Sequence, residues 1–146
     1  MSGPLNPEAP RGVGSTARLA LWQLGFRPFY LLASAFAALS VALWLAQYAG
    51  VLPFAYLPGT AWHGHEMIFG YTLAVIVGFL FTAVRNWTGR PTPSGGLLMA
   101  LAALWVAGRV LVLSPYGVAA AVVSAAFPAA AAIAIAVPLA QSGNRR

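Results

Sequence analysis

Side chains able to do chemistry are few in this sequence, and most of them sit together. The two histidines, His63 and His65, stand two positions apart, and Glu66 and Met67 follow directly. Neutral imidazole is the commonest protein metal ligand, and a thioether is a soft ligand suited to Cu(I). That grouping points to a metal site on His63 and His65, with Met67 as a further ligand and Glu66 beside it. Arg109 is the other charged residue inside a long apolar run. Cysteine is absent, which removes disulfides, thiolate-ligated iron and cysteine zinc sites. The sequence has no nucleophile–base arrangement and no nucleotide-binding glycine loop, so no catalytic residue is assigned. Any redox chemistry would belong to a bound cofactor.

The elements that must position these residues follow from composition. The chain has 146 residues, of which 60% are hydrophobic and 7% charged, with a mean hydropathy of +0.79. Soluble domains carry about 25% charged residues, so a soluble monomer is excluded. The net charge of +6 comes from eight arginines. They are scattered singly rather than clustered on one face, so nucleic acid is not the expected partner. A membrane-crossing helix needs about 20 mainly apolar residues, and four stretches qualify, at about 28–49, 62–84, 96–113 and 117–140. The expected fold is therefore all-α, a polytopic four-helix membrane bundle in contact with lipid. Pro28 suits a helix start, and Pro128 is expected to kink the fourth span.

Arg11, Arg18 and Arg27 precede the first span, Arg85 and Arg90 separate the second from the third, and Arg145 and Arg146 follow the fourth. The connections at 50–61 and 114–116 carry no Arg or Lys. Cytoplasmic loops carry the excess of basic residues, so both termini are expected in the cytoplasm. Residues 1–15 read as a disordered tail rich in Gly, Pro and Ser. Residues 16–27 read as an interfacial segment, and 28–146 as the membrane domain.

Within the second span, Thr60 is the expected N-cap, which makes His63 the third helical residue. At about 100° per residue, His63, Glu66, Met67, Gly70 and Ala74 share a face. Gly70, Ala74 and Gly78 form a stripe of small residues along it, which allows another backbone or a flat ligand to come close. His65 points some 200° away from His63 on the same projection, at about 100° per residue. The two imidazoles can meet on one ion only if the backbone is irregular through Gly64. The positive end of the helix dipole disfavours imidazolium there. Glu66 and Arg109 each lie about 6 Å in from the same end of their spans, at 1.5 Å rise per residue. Arg109 can pair with Glu66, pair with a ligand carboxylate, or snorkel to the headgroups. Trp62 and Trp87 suit anchors at opposite membrane surfaces.

Several stretches resemble one family. Trp62-His63-Gly64-His65-Glu66-Met67-Ile68-Phe69-Gly70 and Asn86-Trp87-Thr88-Gly89-Arg90-Pro91 are similar to segments of the NnrS family. Gly78-Phe79-Leu80 and Gly25-Phe26-Arg27-Pro28-Phe29-Tyr30 are similar as well. The resemblance implies a multi-pass protein of the bacterial inner membrane that contains haem b, copper or both and serves the response to nitric oxide and nitrosative stress, as in denitrification. It implies that His63 and His65 bind the cofactor, that Arg109 pairs with a haem propionate, and that this chain corresponds to the first four spans of a longer fold. Bis-histidine haem ligation would consume both imidazoles. A complete centre then calls for a homo-oligomer or for the remainder of a longer NnrS-type protein. Two other functions fit the composition: a small homo-oligomeric proton-coupled transporter using Glu66, and a structural membrane subunit without cofactor.

Overall fold

The structure is a computed structural model that describes residues 21–53 and 56–143. The tail at 1–15 and the first part of the 16–27 segment, residues 16–20, lie outside the described residues. Four helices account for nearly all of what is described: α1 (Phe26–Tyr48), α2 (Gly59–Thr88), α3 (Gly95–Val112) and α4 (Gly117–Ser142). There is no strand among the described residues. Each helix is long and apolar enough to cross a membrane. Large apolar side chains such as Leu45, Val110, Val118 and Ile133 point outward, as a lipid-facing surface requires.

Local chemistry sets the helix ends. Past the end of α1, Gly50 takes a φ of 74°. Its N–H donates to the Gln47 carbonyl at 3.1 Å, and the Val51 N–H donates to that of Ala46 at 2.9 Å. These two bonds form a Schellman motif, which glycine makes accessible at the left-handed position. Helix α2 begins at Gly59 behind Pro58, and no side chain caps it. Thr60 is thus inside the first turn rather than at the N-cap, and His63 is the fifth helical residue. Helix α4 runs unbroken past Pro128 and Pro138.

Helix α2 is the organising element. It contacts all three others, while α3 packs chiefly on α4. The main core joins Phe29, Ala33 and Phe36 of α1 to Ala74, Val77 and Phe81 of α2, and both to Leu98, Leu101 and Trp105 of α3 and Phe127 and Ala131 of α4. A smaller cluster of Trp62, Val112 and Ala120 closes the end where α1 joins α2. The small-residue stripe is occupied by α1. A methyl group added to Gly70 would overlap the Phe36 ring and come within 2.8 Å of Glu66 Oε2, and one added to Gly78 would meet Tyr30 and Phe29. The room beside His63 that Gly70 offers in sequence is therefore filled by an aromatic ring.

One departure from regular geometry matters for the site. Residues Glu66–Thr72 of α2 are π-helical. Their wider i→i+5 turn shifts the register of everything after Glu66 against a uniform helical projection. The indole Nε1 of Trp105 donates to the Gly70 carbonyl at 3.1 Å across the buried α2–α3 contact. A bond from outside the helix is one way to satisfy a carbonyl where the regular ladder is disturbed.

Candidate functional site

The α1–α2 end of the bundle gathers the polar side chains. Glu66 is fully buried, and both of its oxygens are engaged. Arg109 Nη1 donates to Oε2 at 2.7 Å, and His65 Nδ1 lies 3.0 Å from Oε1. Arg109 Nη2 donates to Ser124 Oγ at 3.2 Å, and the guanidinium lies 6.0 Å from the centroid of the Trp105 ring. A polar network thus runs from α2 through α3 to α4 inside an apolar bundle. A charge alone in such surroundings would cost several kcal/mol, about 2.5–3.5 at the centre of a membrane helix. Pairing and hydrogen bonding offset that cost for both partners.

The two histidines have different surroundings. His65 stacks on Phe69 with ring centroids 4.8 Å apart. Its Nδ1–H donates to the Glu66 carboxylate, an arrangement that fixes the tautomer and leaves Nε2 as the acceptor or ligand atom. His63 stacks on Trp44 of α1, with centroids 4.6 Å apart and planes 21° from parallel. Its Nδ1 is buried without a hydrogen-bond partner. The helix is regular α through His65, and the irregular stretch begins at Glu66. The irregularity comes too late to rotate His63 and His65 onto one side, so the condition for both to reach one ion is not met. Met67 is half-buried on the π-helical stretch. Among the described residues no group of three or more His, Asp or Glu side chains could hold a metal ion.

Sequence reasoning missed Ser124, Trp44 and Trp105. Ser124 had a signal, being the lone polar residue of α4 before Gln141. A hydroxyl alone on an Ala/Val helix suggests a partner across the bundle. The partners of Trp44 and Trp105 depend on tertiary contacts that spacing along one helix does not reveal.

Among the described residues, four buried side-chain atoms lack hydrogen-bond partners: Gln47 Oε1, Trp62 Nε1, His63 Nδ1 and Arg109 Nε. All four lie at this end of the bundle, on the last turns of α1 and α3 and the first turns of α2. Buried polar groups are normally satisfied, so such a cluster asks for an explanation.

No curated protein and no solved structure matches the chain. A family model does, that of the NnrS protein, over residues 20–146. The match includes α3 and α4, past the Gly25–Pro91 stretch that carries the recognisable motifs. With that match over all four membrane-spanning helices, the chain belongs to the NnrS family.

Proposed function

We propose that this protein is a bacterial inner-membrane component that holds haem b, copper or both at the α1–α2 end and acts in the response to nitric oxide. The observation that carries the reading is the His65–Glu66 contact at 3.0 Å. A carboxylate on one imidazole nitrogen is the usual outer partner of a metal-ligating histidine. The neighbouring His63 is a second imidazole, and its buried Nδ1 has no hydrogen-bond partner. Helix α2 orients the two rings differently, so one chain offers one imidazole to any one ion. The fit is to half of a bis-histidine centre. A second copy, or a further part of a longer protein, would supply the other ligand.

In this reading each residue of the network has a task. Glu66 holds the His65 ring in place. Arg109 balances the Glu66 charge and is itself held by Ser124. Trp44 and Phe69 wall the imidazoles from the rest of the bundle. A haem held by one imidazole, or a copper held by two, would supply an open coordination position for nitric oxide. Both oxygens of Glu66 are engaged with side chains, which does not favour its use as the cation-coupling carboxylate of a transporter.

Two measurements test this reading. The protein extracted gently from membranes of cells supplied with haem and copper should carry iron or copper by elemental analysis, with a Soret band if haem is present. A preparation carrying neither would sink the metal reading. The arginine distribution supports a periplasmic α1–α2 end. Reporter fusions after Tyr48 and Tyr116 should read as periplasmic, and a fusion after Arg90 as cytoplasmic. A cytoplasmic signal after Tyr48 would put the site on the wrong side of the membrane.

A further inference from the structure

At the end of the bundle opposite Glu66, the start of α1 lies beside the last turn of α2, and a cavity of about 220 Å³ opens between them. Leu24, Phe26 and Phe81 give it an apolar wall, and Arg85, Asn86 and Thr92 line it as well. Gly89, at a φ of 65°, ends α2 by donating its N–H to the Arg85 carbonyl at 2.9 Å. Arg85 and Asn86 therefore stand on the final helical turn. Trp87 on that turn is 71% exposed, as suits an indole at the level of the lipid headgroups. The cavity opens at that level rather than among acyl chains.

Three of the lining side chains have donors to spare. The Arg85 guanidinium and the Asn86 amide are exposed and Thr92 is half-buried, and no described residue accepts a hydrogen bond from any of the three side chains. Thr82, the other polar residue of the lining, is committed to the Gly78 carbonyl at 3.3 Å. Charge is unbalanced in the same place. Arg90 follows just past the helix, and Glu66, the sole Asp or Glu among the described residues, is paired at the other end. The negative end of the α2 dipole is worth about half an elementary charge, too little to balance two arginines. A phosphate brings negative charge and several acceptor oxygens, and a guanidinium is well matched to it. Free phosphate makes no use of the apolar wall, whereas a phospholipid carries apolar surface beside its phosphate. A zwitterionic headgroup adds an ammonium that no described carboxylate at this end can pair, so a headgroup of net negative charge fits best.

We infer that the cavity between the start of α1 and the end of α2 binds the phosphate of an anionic phospholipid of the phosphatidylglycerol type. Arg85 is its charged partner, and Asn86 and Thr92 are further donors. Neither His63 nor His65 lines this cavity, so the inference is independent of the cofactor reading.

The test is native mass spectrometry of the full chain in detergent, after incubation with equal amounts of dioleoylphosphatidylglycerol and dioleoylphosphatidylcholine. Adducts of the phosphatidylglycerol should exceed those of the phosphatidylcholine about fivefold, the worth of one basic residue near an anionic headgroup. Arg85→Gln should bring that ratio close to parity. Arg90→Gln removes the same charge from a residue that does not line the cavity, and should keep most of the preference. Thr92→Val leaves the charge in place but removes a donor, and should lower the preference about twofold. Equal retention of the two lipids by the native protein would overturn the anionic assignment. No loss in Arg85→Gln, or an equal loss in Arg90→Gln, would mean diffuse attraction to a basic end and overturn the site. Displacement of phosphatidylglycerol by inorganic phosphate, but not by chloride at the same ionic strength, would assign the cavity to a soluble anion and overturn the lipid assignment.

Discussion

Replacing Arg109 alone by methionine should destabilise the protein more than replacing Arg109 and Glu66 together. The single change leaves a fully buried carboxylate with only His65 beside it and removes its 2.7 Å partner. Breaking a buried ion pair by deleting one member costs about 3–5 kcal/mol, because the remaining charge has no compensation. Replacing both members with apolar side chains removes both charges, and such exchanges are often close to neutral. In thermal unfolding of the detergent-solubilised protein, Arg109→Met should lower the midpoint by on the order of 10 °C. The double variant should regain much of that loss. The exchange of Glu66→Arg with Arg109→Glu should regain part of it, since it restores opposite charges in a changed geometry. Strictly additive losses in the cycle would show that the two residues are not coupled. Arg109 would then owe its position to Ser124 and Trp105 alone.

That experiment bears on how much the sequence could reveal. The bilayer imposes a simple requirement, a long apolar run with internally satisfied backbone, and four such runs correspond to the four helices. Depth along a helix is equally simple, since rise per residue is constant, so Glu66 and Arg109 could be placed at one level from their spacing alone. Rotation about the helix axis is a different matter. It was estimated on a uniform turn, and the π-helical stretch from Glu66 to Thr72 breaks that uniformity. Its local sequence, Glu-Met-Ile-Phe-Gly-Tyr-Thr, has no proline to announce a disturbance. The interaction at Gly70 comes instead from Trp105, 35 residues away. Thr60 shows the same limit at a smaller scale, for a good capping residue was passed over when the helix began behind Pro58. The use of the small-residue stripe was open in sequence between a ligand and a helix. Phe36 and Tyr30 of α1 take that space, and no pattern within α2 names its neighbour.

Loss of His65 should have the larger effect on bound cofactor, and the reason lies in the different partners of the two rings. The Nδ1 of His65 is held on Glu66 at 3.0 Å and its ring is stacked on Phe69. Its Nε2 is thereby presented in a fixed direction, which reduces the ordering that binding would otherwise require. His63 is stacked on Trp44, but its Nδ1 has no partner to set the tautomer. His65→Ala should remove most of the iron or copper that the native protein carries and abolish or shift any Soret band. His63→Ala should reduce the content less. Glu66→Gln keeps an oxygen near His65 but removes the charge, and should weaken metal affinity by about 10- to 100-fold, the usual effect of losing an outer-shell partner. Because Glu66→Gln also disturbs the Arg109 pair, Ser124→Ala serves as its control, since it perturbs Arg109 without touching His65. Metal loss in Ser124→Ala as large as in Glu66→Gln would assign the effect to stability rather than to ligand orientation. Full retention of iron and copper by His65→Ala would remove His65 from the ligand set, and with it the argument that its carboxylate contact marks a metal ligand.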